Sequence, residues 1–275
     1  MATRTNYNAE AVEAARSVLI ELTHLLGEYR DDIVLIGGWV PDLLLRDGEM
    51  PHVGSMDIDL ALNHLALSES GYQQIGELLA SRGYRQSEQQ PFIFLRDVPV
   101  GARTITVQVD LLAGEYGGTG KRRRTQRVQD VQPRKVRGCD LALGMATEIT
   151  VSGTLPGGGR DTVVVRVAGI VPFIVMKGMA LHDRLKEKDA WDIYYCLRNY
   201  PGGLDALIQA FRPHVGLGLV NEGLVKIAAK FSSPDDVAPR FVADFDEILD
   251  PEDRALRQRD AYERVQYLLG GLGVV

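Results

Sequence analysis

The sequence predicts an α+β fold: a small mixed or antiparallel sheet flanked by helices over residues 1–168, followed by an all-helical domain over residues 169–275. Three observations predict it. Runs of β-branched and aliphatic residues punctuated by glycine, proline or aspartate all fall before Ala168. Segments of helical periodicity stand between those runs and supply the flanking helices. From Val171 onward no convincing strand remains, and the pattern over 173–183, 187–199, 203–211, 221–230, 239–248 and 252–269 is mostly helical. At 275 residues the chain has room for one large domain or two modest ones, with ample core either way.

Each element has its own signal. Val12, Ala15, Leu19, Leu22 and Leu26 recur at helical spacing and mark an amphipathic helix over 10–29, in which His24 is a surface or packing residue. Ile33 to Ile36 reads as a buried strand ending in Gly37-Gly38, and a short helix from Trp39 places Val40, Leu43 and Leu44 toward the sheet. After a strand at Asp57 to Leu62, a connection at 63–68 leads into a helix over 69–82 with Ile75, Leu78 and Leu79 inward, closed by Gly83. Phe92 to Leu95 and Thr104 to Leu112 are strands separated by a turn over 97–102, and the runs at 148–151 and 162–167 form a hairpin about Pro156-Gly157-Gly158-Gly159.

Composition narrows the function. A net charge of −6 argues against a protein that coats nucleic acid with its whole surface, while leaving room for a local basic patch. Cys139 and Cys196 are far apart and suggest neither a disulfide framework nor a zinc site. No signal peptide is visible, and the most apolar window, Ile170 to Leu181, is interrupted by Pro172 and Lys177 and is too short to span a bilayer, so a cytoplasmic protein without a membrane partner is expected.

The chemistry concentrates in Gly54-Ser55-Met56-Asp57-Ile58-Asp59. On a strand, Asp57 and Asp59 share one face and Ile58, Leu60 and Leu62 the other. Two carboxylates so close repel one another unless a cation lies between them, and a divalent ion with oxygen ligands, best magnesium, is the natural occupant. Gly54 and Ser55 offer backbone N–H groups and a hydroxyl to phosphate oxygens. In the later strand Ile105, Val107 and Val109 face one way and Thr104, Thr106, Gln108 and Asp110 the other. Taken alone, Asp110 reads as a turn former more readily than as a ligand. Between 121 and 137 lie eight cations in seventeen residues, beginning with Lys121, Arg122, Arg123 and Arg124, which make a candidate contact for RNA phosphates.

The Gly37-Gly38-Trp39-Val40 turn followed by Gly54-Ser55-Met56-Asp57-Ile58-Asp59 resembles the nucleotidyltransferases of the polymerase-beta type, in particular the AbiEii/MenT group of bacterial toxin-like enzymes. The stretch from Lys177 through Arg184, Lys188 and Asp189 to Asp192 is similar to that group's Lys/Arg/Asp signature. The resemblance implies Asp57, Asp59 and Asp110 as catalytic ligands of two magnesium ions, and Gly54, Ser55, Lys177, Arg184 and Asp189 as the grip on a nucleoside triphosphate, with Lys177 also catalytic and the helical domain completing the nucleotide and acceptor cleft. Many members carry Arg or Lys where this chain has His52 and Val53, a departure beside the phosphate grip. Lys177 and Arg184 are seven apart, on one helical face, and can reach a single anion. An interdomain salt-bridge network explains the same residues, since Lys188 and Asp192 are four apart and Arg184 can pair with Asp189 or Asp192. Trp191, Tyr194 and Tyr195 read as core. The resemblance implies a toxin that transfers nucleotides to RNA, such as the 3′ end of tRNA, and a possible cognate antitoxin. A small-molecule (antibiotic) nucleotidyltransferase and a catalytically silent nucleotide-binding module are the alternatives.

Overall fold

The computed structural model describes residues 3–67, 74–115 and 130–274. The chain divides into two compact units, a sheet unit of Tyr7–Val40 with Gly54–Gly169 and a helical unit of Met1–Asn6, Pro41–Val53 and Ile170–Val275.

The sheet unit opens with α1 (Ala9–Leu25), whose N-terminus is capped by the Asn8 side chain accepting from the Ala11 N–H at 2.8 Å. The helix ends at Leu25, short of the expected 29; it buries Ala15, Leu19 and Leu22 as its periodicity predicts, with Ala11 and Val18 beside them, leaves Val12 half-buried, and packs on the sheet. Strand β1 (Ile33–Ile36) is buried along its whole length. The short α2 (Trp39–Leu44), which belongs to the helical unit from Pro41 onward, follows, then β2 (Asp57–Leu62), α3 (Ile75–Ser81), β3 (Arg85–Gln86), β4 (Ile93–Val100), β5 (Arg103–Ala113), β6 (Arg134–Lys135), α4 (Cys139–Gly144), β7 (Ala146–Thr154) and β8 (Arg160–Ala168). Among the described residues these strands form one sheet in the order β3-β4-β5-β2-β1-β8-β7, with β6 beside β5. The sheet is mixed. β2 runs antiparallel to β1 and parallel to β5, so that two strands distant in sequence become neighbours at its centre.

One hairpin differs from its sequence expectation. Asp97 to Val100 continue β4 instead of turning, and the turn shrinks to Gly101-Ala102, with Val100 opposite Arg103. Pro99 is tolerated because, among the described residues, β4 pairs with β3 only at Phe94 and Leu95, which leaves the rest of β4 an edge where a missing N–H costs nothing. Of the expected helix over 69–82, the described part is α3; residues 68–73 lie outside the described residues.

The helical unit consists of α5 (Ile170–Arg184), α6 (Glu187–Asn199), α7 (Gly203–Phe211), α8 (Gly218–Ala228), α9 (Val237–Phe245) and α10 (Pro251–Leu272). Its core is built on Trp191, Tyr195, Phe211, Phe231 and Phe245, each fully or almost fully buried. Burial of such aromatic rings, at roughly 25 cal/mol per Å², is the main stabilising contribution. Helix α10 starts where Asp250 accepts from the N–H groups of Glu252 and Asp253 at 3.0 Å each, beside Pro251 in the first turn. No described helix is long and apolar enough to cross a membrane.

Residues 48–52 run along one face of α6. The Glu49 N–H donates to Asn199 Oδ1 at 3.1 Å, Tyr195 donates its hydroxyl hydrogen to the Met50 carbonyl at 2.8 Å, and His52 meets Asp192 at 3.0 Å. The anchors on the helix, 192, 195 and 199, are spaced three and four apart, so a single face holds the segment.

Candidate functional site

In the sheet unit, the parallel pairing of β2 with β5 sets Asp57 opposite Gln108 and Asp59 directly opposite Asp110. Alternation turns all four side chains to one face, while Ile58, Val107 and Val109 go to the core. Strand spacing puts the Cα atoms of Asp59 and Asp110 about 4.8 Å apart and those of Asp57 and Asp59 about 6.6 Å apart. Asp57 is exposed, and Asp59 and Asp110 are half-buried.

The start of β2 is held from two sides. Trp39 donates its indole N–H to the Asp57 carbonyl at 2.9 Å. Gly37 lies against Asp59 so closely that a Cβ there would collide with Asp59 Oδ2, and its φ of +73° is one that other residues rarely adopt. The Gly-Gly turn therefore serves as a cradle for the Asp59 carboxylate. Gly54 also has a positive φ, +74°, and turns the chain into a buried Ser55.

The carboxylates have protein partners. Ser55 donates its hydroxyl hydrogen to Asp57 Oδ1, and Gln108 donates an amide hydrogen to Asp110 Oδ1 at 2.7 Å. Among the described residues no group of three or more His, Cys, Asp or Glu side chains stands in a metal-holding arrangement. What the backbone provides is three carboxylates on one face, the hard oxygen donors that magnesium prefers. Cys139, at the start of α4, is kept a thiol by burial and then by the negative charges of Asp140 and Asp59.

The predicted cations belong to the helical unit, and they meet two buried carboxylates. Lys177 Nζ lies 2.9 Å from Asp189 Oδ1 and 2.7 Å from Asp192 Oδ2. Arg184 grips Asp189 with two hydrogen bonds, Nε to Oδ2 at 2.7 Å and Nη2 to Oδ1 at 2.8 Å. Lys188 donates to both oxygens of Asp192, at 2.8 and 3.1 Å. Lys177 and Arg184 do share an anion, as their spacing predicts, and that anion includes Asp189 of the same unit. Burial opposes charge on Lys177, but Asp189 and Asp192 outweigh it and hold the ammonium above the usual lysine range. Burial likewise opposes charge on Asp192, where Lys177 and Lys188 prevail and hold the carboxyl well below the usual range. Asp189 is lowered in the same way by Lys177 and Arg184.

His52, visible in the sequence only as a departure beside the phosphate grip, gains a place in the structure that sequence reasoning missed. Its ring is buried, 4.8 Å edge-on from Tyr195 and 5.2 Å from Trp191 between centroids. Burial, then the charge of Lys188, lowers its pKa to about 4 against the pull of Asp192. The imidazole is therefore neutral near pH 7, and the contact with Asp192 is a hydrogen bond donated by Nε2–H. No local pattern announces it, because its partner is 140 positions away.

Lys121, Arg122, Arg123 and Arg124 lie outside the described residues. Of the remaining basic segment, Arg134 stacks its guanidinium 5.9 Å from the Phe92 ring centre and Arg137 donates to Glu115 at 2.8 Å. A groove of about 640 Å³ between α7 and the end of α10, lined by Asp205, Arg212 and Tyr267, contains none of the predicted site residues.

Among curated proteins none matches the chain at a significant level. A crystal structure of an H. pylori protein provisionally described as a nucleotidyltransferase matches with a TM-score of 0.39 and 15% identity, over 94% of this chain and 96% of that one, a likeness too weak to bear on fold or site. The model of the nucleotidyl transferase AbiEii toxin family, of a type IV toxin-antitoxin system, matches residues 22–265, which include the whole β2-β5 carboxylate face and the Lys177 to Asp192 cluster. The chain belongs to the AbiEii nucleotidyltransferase toxin family.

Proposed function

We propose that this nucleotidyltransferase toxin is magnesium-dependent and transfers nucleotides from a nucleoside triphosphate to an RNA acceptor such as the 3′ end of tRNA, blocking translation in the cytoplasm until a cognate antitoxin opposes it. The observation that carries the reading is the register of β2 on β5, with Asp59 opposite Asp110 and Asp57 on the same face. Asp57, Asp59 and Asp110 would hold the magnesium ions, which when bound stabilise charge on the attacking and leaving oxygens of an in-line displacement at the alpha-phosphorus. Asp110 also accepts the proton of the attacking hydroxyl. Gly54 and Ser55 bind the beta and gamma phosphates through a backbone N–H and a hydroxyl that leaves Asp57. Lys177 and Arg184 offset charge on the leaving pyrophosphate, with Asp189 holding both cations in place. The eight cations of 121–137, in a chain of net charge −6, favour an RNA acceptor over a cationic drug.

The test is incubation of the purified protein and its Asp59→Ala variant with magnesium, each alpha-labelled nucleoside triphosphate in turn, and either total tRNA or a panel of aminoglycosides and lincosamides. The expected result is label on tRNA with the wild type only. Label on a drug, or equal labelling by the variant, overturns the reading.

A further inference from the structure

Lys177 is deeply buried, and its ammonium is placed by two carboxylates, one of which, Asp192, also carries Lys188. Two lysines compete for the same pair of oxygens, so the orientation of Asp192 decides where the Lys177 ammonium rests. Lys188 bridges both oxygens of Asp192 at 2.8 and 3.1 Å, whereas His52 Nε2 donates to Oδ1 alone at 3.0 Å and leaves Oδ2 facing Lys177 at 2.7 Å. The imidazole packs against Trp191 and Tyr195, whose rings also touch each other at 5.2 Å between centroids, and the Tyr195 hydroxyl and Asn199 bind the backbone of the segment that carries it. Such a chain of aromatic packing and directional hydrogen bonds fixes a carboxylate far better than two flexible lysines do.

We propose that His52 is a positioning residue for nucleotidyl transfer: its Nε2–H orients the Asp192 carboxylate, and Asp192 in turn fixes the Lys177 ammonium, the group that the transferase reading assigns to the leaving pyrophosphate. The inference rests on the transferase reading above and names a residue that the reading does not use. The charged groups bearing on the ring are Asp192, Lys188 and Lys177, with the uncharged Tyr195 ring edge-on beside it; burial first, then two cations against one carboxylate, keep it neutral.

His52→Leu removes the donor, and His52→Gln restores an N–H donor that cannot titrate. Each full-length protein is assayed with magnesium, tRNA and varied alpha-labelled triphosphate, alongside NMR of histidine-¹⁵N-labelled protein, in which the His52 signal is the one missing from both variants. Expected are a neutral Nε2–H tautomer persisting to about pH 5, a His52→Leu loss of roughly 10- to 100-fold in kcat/KM expressed largely as a raised KM for triphosphate, and recovery of much of that loss in His52→Gln. Wild-type kinetics in His52→Leu, an equal loss in both variants, or a His52 signal that titrates near its ordinary value overturns the inference while the transferase reading stands. A wild type that labels no acceptor overturns the transferase reading and the inference with it, and the NMR then still reports the hydrogen bond as a structural one.

Discussion

In the sheet unit Asp57 and Asp110 accept hydrogen bonds from the neutral donors Ser55 and Gln108, whereas in the helical unit Asp189 and Asp192 lie buried against Lys177, Arg184 and Lys188. Burial accounts for the difference. A carboxylate removed from water must be matched by charge, and Asp192, fully buried, has two lysines and an imidazole N–H. A half-buried or exposed carboxylate can keep a neutral partner whose net contribution is only about 1 kcal/mol, small enough for an incoming cation to displace. The buried carboxylates are thus held by charge, and Asp57 and Asp110 accept hydrogen bonds that cost far less to replace.

The comparison breaks most visibly in the buried cluster. Asp192→Leu strands Lys177 and Lys188 without their shared carboxylate, and urea unfolding is expected to show a loss of about 3–5 kcal/mol. Asp59→Asn should do the opposite: transfer falls on the order of 10³-fold, equivalent to about 4 kcal/mol in the barrier, while the unfolding midpoint hardly moves. A stability loss in Asp59→Asn as large as that in Asp192→Leu would erase the distinction between the units.

Acid sharpens it further. The unfolded chain binds a proton at His52 near the ordinary value of 6.5, the folded chain only at about 4, so folding stability is complete above the first and falls as pH drops toward the second. The loss is about 3 kcal/mol, and the lowered carboxyls of Asp189 and Asp192 add theirs only below the ordinary carboxylate value. Unfolding curves from pH 7 to pH 4 should show this slope in the wild type and a flatter one in His52→Gln. The smallest effect is expected at the cradle: Gly37→Ala opposes both a positive φ and the Asp59 carboxylate, costing about 1–2 kcal/mol in stability, with a roughly tenfold loss of transfer as Asp59 is displaced.

Much of this was legible in the residues, and the limits have physical causes. Period-two alternation is a local property, so the shared face of Asp57 and Asp59, and that of Gln108 and Asp110, could be read directly. The helices from α5 to α10 were equally plain, because a 3.6-residue period is written within each segment. What alternation cannot state is which strands become neighbours; the parallel contact of β2 with β5 pairs residues about fifty positions apart, and only the fold reveals Asp59 opposite Asp110. The same holds for His52, whose role depends on a helix 140 positions away. The short β3, β6 and α4, two to six residues long, carry too little periodicity to be seen.

The most direct test of the carboxylate face is titration of the wild type, Asp59→Asn and Asp110→Asn with manganese(II), a magnesium surrogate, read by the loss of its free-ion paramagnetic resonance signal in the presence of a non-hydrolysable nucleoside triphosphate analogue. The account predicts tight uptake by the wild type, with binding weakened at least about tenfold in each variant while the unfolding midpoints stay close. Equal manganese uptake by all three proteins would contradict it, leaving the shared face of β2 and β5 a polar surface and not a catalytic centre.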